Sequence, residues 1–218
     1  IGEGASFGVV ISYFFLPTQK QVFKKLLLIF FISICFGALV LSGSRGPLLG
    51  TILSIILLMI FNGKIKTLLI LFLISALLLF FFWESLEIFR VFSAFAELAD
   101  VKQGGRVDLF NQGLIYFFTN PFFGHAYALE GGIYPHNIFI EILMSTGIFG
   151  FLSIFYLVLI GAYKTLINLK LADEYKLFAA LFTLASLSAL VSGNIITSSS
   201  FWIFLALALN PFFERYET

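Results

Sequence analysis

The groups in this chain that could move a proton or grip an anion are concentrated between Gly104 and Gly150, GGRVDLFNQGLIYFFTNPFFGHAYALEGGIYPHNIFIEILMSTGIFG. This stretch holds Arg106, Asp108, both histidines (His125 and His136), Glu130 and Glu141. An arginine offers a planar fork that grips phosphate or carboxylate at two points. An imidazole at the start of a helix is disfavoured as the cation and can take a proton. His136 stands at such a start, between Pro135 and Asn137, and reads either as a general base or as a capping or packing histidine for which Asn137 competes. Arg106 follows Gly104-Gly105 and precedes Asp108, so it binds a phosphate or pairs with a nearby acid. His125, after Asn120-Pro121-Phe122-Phe123-Gly124, has no evident chemical partner and reads as structural.

A second arginine joins them from elsewhere. Arg45 lies in Ser42-Gly43-Ser44-Arg45-Gly46-Pro47, between two apolar runs. An arginine at a membrane edge is costly to bury without partners. The glycines would let a ligand approach the backbone, and Pro47 would open a helix whose N-terminal amides favour an anion. The alternative is an anchor snorkelling to the interface. Gly46 and Gly50 also form a GxxxG pair, the sequence of a close helix contact.

Several chemistries lack their motifs. There is no Walker loop, and Gly2-Glu3-Gly4 with Gly8 misses the dinucleotide spacing. No HExxH or cysteine cluster suggests zinc, and no Asp-x-Asp pair suggests a magnesium site for a nucleotide-sugar donor. Cys35, the one cysteine, sits in an apolar run and reads as packing. A net charge of +1 gives no sign of a nucleic-acid partner. No cofactor is called for.

The elements that position these residues must be membrane helices. The chain is 60% hydrophobic and 11% charged, against about 25% charged in soluble domains, and its mean hydropathy is +1.04. A helix needs about 20 apolar residues to cross a bilayer core. The pattern predicts an all-α, polytopic bundle with spans near 4–16, 26–43, 47–62, 67–83, 146–163, 177–192 and 199–213, about seven, and a long extracytoplasmic loop over 84–145. In that loop, 84–99 has the spacing of an amphipathic interfacial helix, 106–119 of a short helix stopped by Asn120-Pro121, and a further helix starts near Pro135-His136-Asn137. This last helix either joins the next span or kinks at Gly147. The chain opens on Ile1 inside an apolar stretch, so it is expected to be the C-terminal part of a longer membrane protein. Residues 1–24 are then the end of a span with its cytoplasmic loop, 25–165 the main membrane domain and 166–218 the last helices.

Threading the spans alternately sorts the cations. One side receives Lys20, Lys24, Lys25, Lys64, Lys66, Lys164, Lys170, Lys176 and Arg215, and the other Arg45, Arg90, Lys102 and Arg106. The positive-inside rule assigns the first side to the cytoplasm. That side is almost all lysine; the other is mostly arginine.

At this point a resemblance emerges. Ser44-Arg45-Gly46-Pro47-Leu48-Leu49-Gly50, Arg106, Asn120-Pro121-Phe122-Phe123-Gly124, His136-Asn137-Ile138-Phe139 and Gly147-Ile148-Phe149-Gly150 resemble, in that order, the shared membrane domain of the O-antigen ligase and O-antigen polymerase family. The likeness covers residues 25–165. It implies a multi-pass glycosyltransferase of the GT-C type in the bacterial inner membrane, acting at the extracytoplasmic face in lipopolysaccharide or other surface polysaccharide biosynthesis. It implies a glycan donor carried on undecaprenyl diphosphate and an acceptor that is lipid A–core or a second lipid-linked glycan. The family's arginines fall on Arg45 and Arg106 and its histidine on His136; Ser44, Gly46, Asp108, Asn137 and Glu141 are expected to line the substrate. The aromatic that often follows the second arginine is Phe110 here. Two rivals of another class are a small-solute or anion transporter with the arginines as a selectivity site, and a non-catalytic membrane scaffold.

Overall fold

The computed structural model of the chain describes residues 1–70, 72–73, 106–170 and 172–210. They form α1 (Gly2–Phe15), α2 (Val22–Leu41), α3 (Arg45–Phe61), α4 (Arg106–Thr119), α5 (Ile138–Ile167), α6 (Asp173–Ser192) and α7 (Ser199–Leu209). Among the described residues there is no strand. Among the described residues three helices, α2, α5 and α6, are long and apolar enough to cross a membrane; α3 and α7 are shorter apolar helices. Of the remaining expected span, 67–83, only residues 67–70 and 72–73 are described, and they are helical; the expected interfacial helix 84–99 lies outside the described residues.

The fold is organised on α6. One apolar cluster joins Ile138 and Ile142 of α5, Phe182 and Ala189 of α6, and Phe201 and Leu205 of α7. A second joins Val10 of α1, Leu58 of α3, and Ala180 and Leu184 of α6. Lipid is as apolar as these side chains, so close van der Waals contact and interhelical hydrogen bonds must hold such helices together.

The sequence supplies small residues for that purpose. On α3, Gly46, Gly50 and Ser54 recur every four residues and therefore share one face. A Cβ on Gly46 would stand 3.2 Å from the Ser188 carbonyl, and one on Gly50 would stand 3.0 Å from that of Leu184. Ser54 Oγ donates to the Ala180 carbonyl at 2.6 Å. The partners descend 188, 184, 180 as the α3 residues ascend, so the two helices run antiparallel with backbones in contact. The GxxxG pair is one end of this three-step seam. On the other flank, Ser6 Oγ of α1 donates to the Pro47 carbonyl of α3 at 3.3 Å.

Helix α5 is broken where Gly147 adopts φ 68, ψ −165. The break interrupts the helical ladder, and inside a membrane the freed backbone groups need partners. The Asn120–Gly124 loop provides them. His125 N–H donates to the Met144 carbonyl at 2.8 Å, and Ile148 N–H donates to the Pro121 carbonyl at 2.8 Å. The two backbones cross so closely that a Cβ on Gly124 would overlap Ser145 and Thr146, and one on Gly147 would overlap Phe122 and Phe123. Both glycines have positive φ as well. The expected short helix 106–119 is present as α4, and the fork at Gly147 resolves to a kink.

Candidate active site

The helix ends sort into two rims. At one, Lys176 of the α6 N-terminus donates to Asn62 Oδ1 just after α3, at 3.4 Å, and pairs with Asp173 at 2.6 Å. At the other, the C-terminal turns of α6 meet the N-terminus of α3: a Cβ on Gly46 would lie 2.7 Å from Ser192 Oγ and 3.2 Å from Val191 Cβ. Glu3, in the first turn of α1, accepts a hydrogen bond from Ser200 Oγ at the start of α7. Glu141, in the first turn of α5, accepts the Ile195 N–H at 2.8 Å. The N-termini of α1, α3, α5 and α7 therefore share this second rim, where each contributes the positive end of its helix dipole.

Arg45 is the first residue of α3, half-buried, with Ser44 at the N-cap. The helix begins two residues before Pro47, which occupies its third position. Ser44 N–H donates to Ser42 Oγ at 3.3 Å. An open groove of about 430 Å³ lies beside it, lined by Ile1, Gly2, Ala38, Leu41, Ser42 and Ser44. Gly46 is buried against α6 and faces protein on its α-carbon side.

His136 stands immediately before the N-cap of α5. The cap is Asn137, whose Oδ1 accepts from Phe139 N–H at 3.0 Å and Ile140 N–H at 3.1 Å. That settles the competition between the two residues: Asn137 caps, and the imidazole is released from that duty. The carbonyl of Asn137 in turn accepts the Glu141 N–H at 3.0 Å. His136 has φ 56 and, among the described residues, is the non-glycine residue with positive φ. Histidine tolerates this region better than most residues, but the conformation still costs about 1–3 kcal/mol and persists only where its surroundings over-determine it. Those surroundings are visible on both sides. Pro135 is buried against α4, 3.3 Å from where a Gly113 Cβ would be, and Asn137 is fixed by its cap.

Helix α4 lies along the start of α5 in the same direction, since Gly113 meets Pro135 and Ile140 while the residues after α4 meet Ser145–Gly147. Arg106 opens α4 seven residues before Gly113, about 10 Å further out on the His136 side. Asp108 follows in the first turn, half-buried, where a carboxylate complements the helix dipole. His125 is exposed and its ring stacks on Tyr116, centroids 5.3 Å apart, beside the α5 break.

Glu141 is 1% exposed and its carboxylate is directed to the loop after α6. That loop is itself fixed. Asn194 Oδ1 accepts from Ile196 N–H at 3.0 Å and Thr197 N–H at 2.7 Å, and Trp202 Nε1–H donates to the Ile195 carbonyl at 2.8 Å. Asn194 and Trp202 were not singled out in the sequence; their partners are backbone atoms in an uncharged polar turn, and no residue pattern announces such a pairing. A continuous path thus runs from His136 through Asn137, Glu141, Ile195 and Ser192 to Gly46 and Arg45. The structure brings Arg45, Ser44, His136, Asn137 and Glu141 to one rim, with the α4 start bearing Arg106 and Asp108 on the same side.

Among curated proteins and among solved structures, nothing matches the chain. A family model described as O-antigen ligase matches residues 28–155, more than half of the chain, from within α2 through the break in α5. With a helical membrane fold and the arginine and histidine segments inside the matched range, this chain belongs to the O-antigen ligase family.

Proposed function

We propose that the chain is the membrane-embedded catalytic part of a glycosyltransferase that moves a glycan from undecaprenyl diphosphate to an acceptor in surface polysaccharide biosynthesis, in the manner of an O-antigen ligase. The observation that carries this reading is the gathering of Arg45 and His136 at one rim, linked through Glu141 and Ile195, with helix N-termini around them. Family membership supplies the class of substrate: lipid-linked glycans handled at a bilayer.

The chemistry suits these groups. The acceptor hydroxyl oxygen attacks the anomeric carbon, and its proton passes to the His136 imidazole. The bond from that carbon to the diphosphate breaks, and the negative charge grows on the departing lipid diphosphate. Arg45 and Arg106 stabilise it by charge-assisted hydrogen bonds, worth roughly 1.5–3 kcal/mol each. Ser44, Asp108 and Asn137 line the path of the substrate. Attack opposite the leaving group inverts the anomeric carbon, as in an inverting enzyme of the GT-C type. The lipid tail lies along exposed apolar helix surface, of which Leu41 and Leu49 flank the Arg45 turn. In the seven-span topology the lysine rim faces the cytoplasm and the arginine rim faces outward.

Proteoliposomes containing the protein, a lipid-diphosphate-linked glycan and an acceptor test this directly. Transfer to lipid A–core reports ligase chemistry, and transfer to a second lipid-linked repeat unit reports polymerase chemistry. Arg45→Ala and His136→Ala are expected to abolish transfer at unchanged protein level. Full transfer by both variants, or uptake of a small solute with no donor present, would overturn the reading.

A further inference from the structure

We propose that Glu141 is a positioning residue: by holding the Ile195 amide, its buried side chain sets the spacing between the His136 segment and the Arg45 helix end. The inference rests on the transfer reading above and gives Glu141 a part in it other than touching substrate.

Three observations converge on this role. First, the carboxylate is 1% exposed, and Oε2 accepts the Ile195 N–H at 2.8 Å across 54 residues of chain. A carboxyl group buried at a membrane rim is costly unless it is bonded, and a carboxylate accepting a backbone N–H makes one of the stronger hydrogen bonds. Second, the residue it holds is gripped on its other side, where the Trp202 indole donates to the Ile195 carbonyl at 2.8 Å. Asn194 fixes the following two amides. The segment is held as a rigid block. Third, that block connects to both halves of the candidate site. Glu141 lies one turn beyond the Asn137 cap and its own amide bonds the Asn137 carbonyl at 3.0 Å. At the other end of the block, Ser192, Val191 and Ser188 form the wall against which Gly46, the neighbour of Arg45, is packed.

The two halves belong to different packing groups. His136 rides on α5, which packs into the α5–α6–α7 cluster; Arg45 rides on α3, which packs into the α1–α3–α6 cluster. Glu141 is a hydrogen-bond tie from the base-bearing segment to the end of α6, the helix common to both. A shift of about 1 Å between two reacting groups can cost on the order of 100-fold in rate, so releasing this tie acts on turnover rather than on capture of the lipid-linked donor.

The test compares Glu141→Gln, Glu141→Ala, Trp202→Phe and His136→Ala in the proteoliposome assay, with kcat and KM for the donor measured separately and thermal unfolding followed in detergent. Gln keeps an oxygen acceptor for the Ile195 amide and is expected to retain most of the rate. Ala removes it and is expected to lower kcat about 100-fold with KM little changed. Trp202→Phe loosens the same block from the other side and is expected to lower kcat by about tenfold, again without raising KM. If Glu141→Ala does not accumulate in the membrane, Trp202→Phe decides the matter alone. Near-normal kcat in Glu141→Ala, or in Trp202→Phe, overturns the inference. So does Glu141→Gln falling as far as Glu141→Ala with a raised KM, which would mark a charge that touches substrate. An active His136→Ala instead overturns the transfer reading itself, so the two failures are told apart.

Discussion

At one end of the bundle the chain turns through 16–21, 62–64 and 168–170 and carries Lys20, Lys24, Lys25, Lys64 and Lys66, all exposed, with Lys164 and Lys176 half-buried. At the other it turns through 42–44, 135–137 and 193–198 and carries Arg45, His136 and Glu141, none of them exposed. The ties differ in the same way. The lysine end is joined by contacts such as Lys176 to Asp173, whose side chain is largely in solvent, and exposed pairs of that kind contribute about 0–1 kcal/mol. The other end is joined through backbone amides and carbonyls held by Glu141, Asn137, Asn194 and Trp202. A lysine at a headgroup needs only to reach water. A guanidinium or imidazole that acts on a ligand needs a fixed position, and the backbone ties around Glu141, Asn137, Asn194 and Trp202 supply one at the arginine and histidine end.

The comparison can be broken most severely at the chemistry. His136→Ala or Arg45→Ala is expected to remove transfer, by at least about 100-fold, at constant protein level in a membrane fraction. Next come the glycines that let the Asn120–Gly124 loop close the α5 break. Gly124→Ala and Gly147→Ala each set a Cβ into opposing backbone at positive φ. A loss of about 1–3 kcal/mol is expected, read as a lower unfolding temperature in detergent. Gly50→Leu, pressed on the Leu184 backbone, is expected to cost a similar amount or slightly less, because the helices can part a little along the seam. The smallest effect is assigned to the lysine end: Lys176→Ala is expected to change stability by less than about 1 kcal/mol and to leave the transfer rate unaltered.

How much of this was legible in the sequence depends on how local the cause is. Apolar runs and their punctuation placed α2, α3, α5 and α6 within a few residues, because the driving pattern lies inside each helix. The α4 helix was readable from Gly104-Gly105 before it and Asn120-Pro121 after it. The fork at Gly147 could not be settled from the sequence, since the kink depends on a loop more than twenty residues earlier crossing it. Gly46 and Gly50 were legible as a pair, but Ser54 completes their seam only because Ala180 stands opposite. Arg45 and His136 stand out because arginine and histidine are rare in this chain, and Asn137 because it stands beside His136 at a helix start. Glu141 stands out as one of the few charged residues between Gly104 and Gly150, yet its partner, the Ile195 amide, leaves no mark in the sequence. Nor does the left-handed backbone of His136, which follows from Pro135 and Asn137 being held on either side.

The central claim is that the two ends lie on opposite sides of the membrane, with the arginine and histidine end outside. The most direct measurement uses a Cys35→Ala background carrying either Glu130→Cys, in the exposed loop before His136, or Lys64→Cys, after α3. Each protein is exposed to a membrane-impermeant maleimide in sealed right-side-out vesicles. The expected result is labelling of the Glu130→Cys protein in intact vesicles and of the Lys64→Cys protein only after detergent; labelling of both before detergent, or the reverse order, would contradict the account.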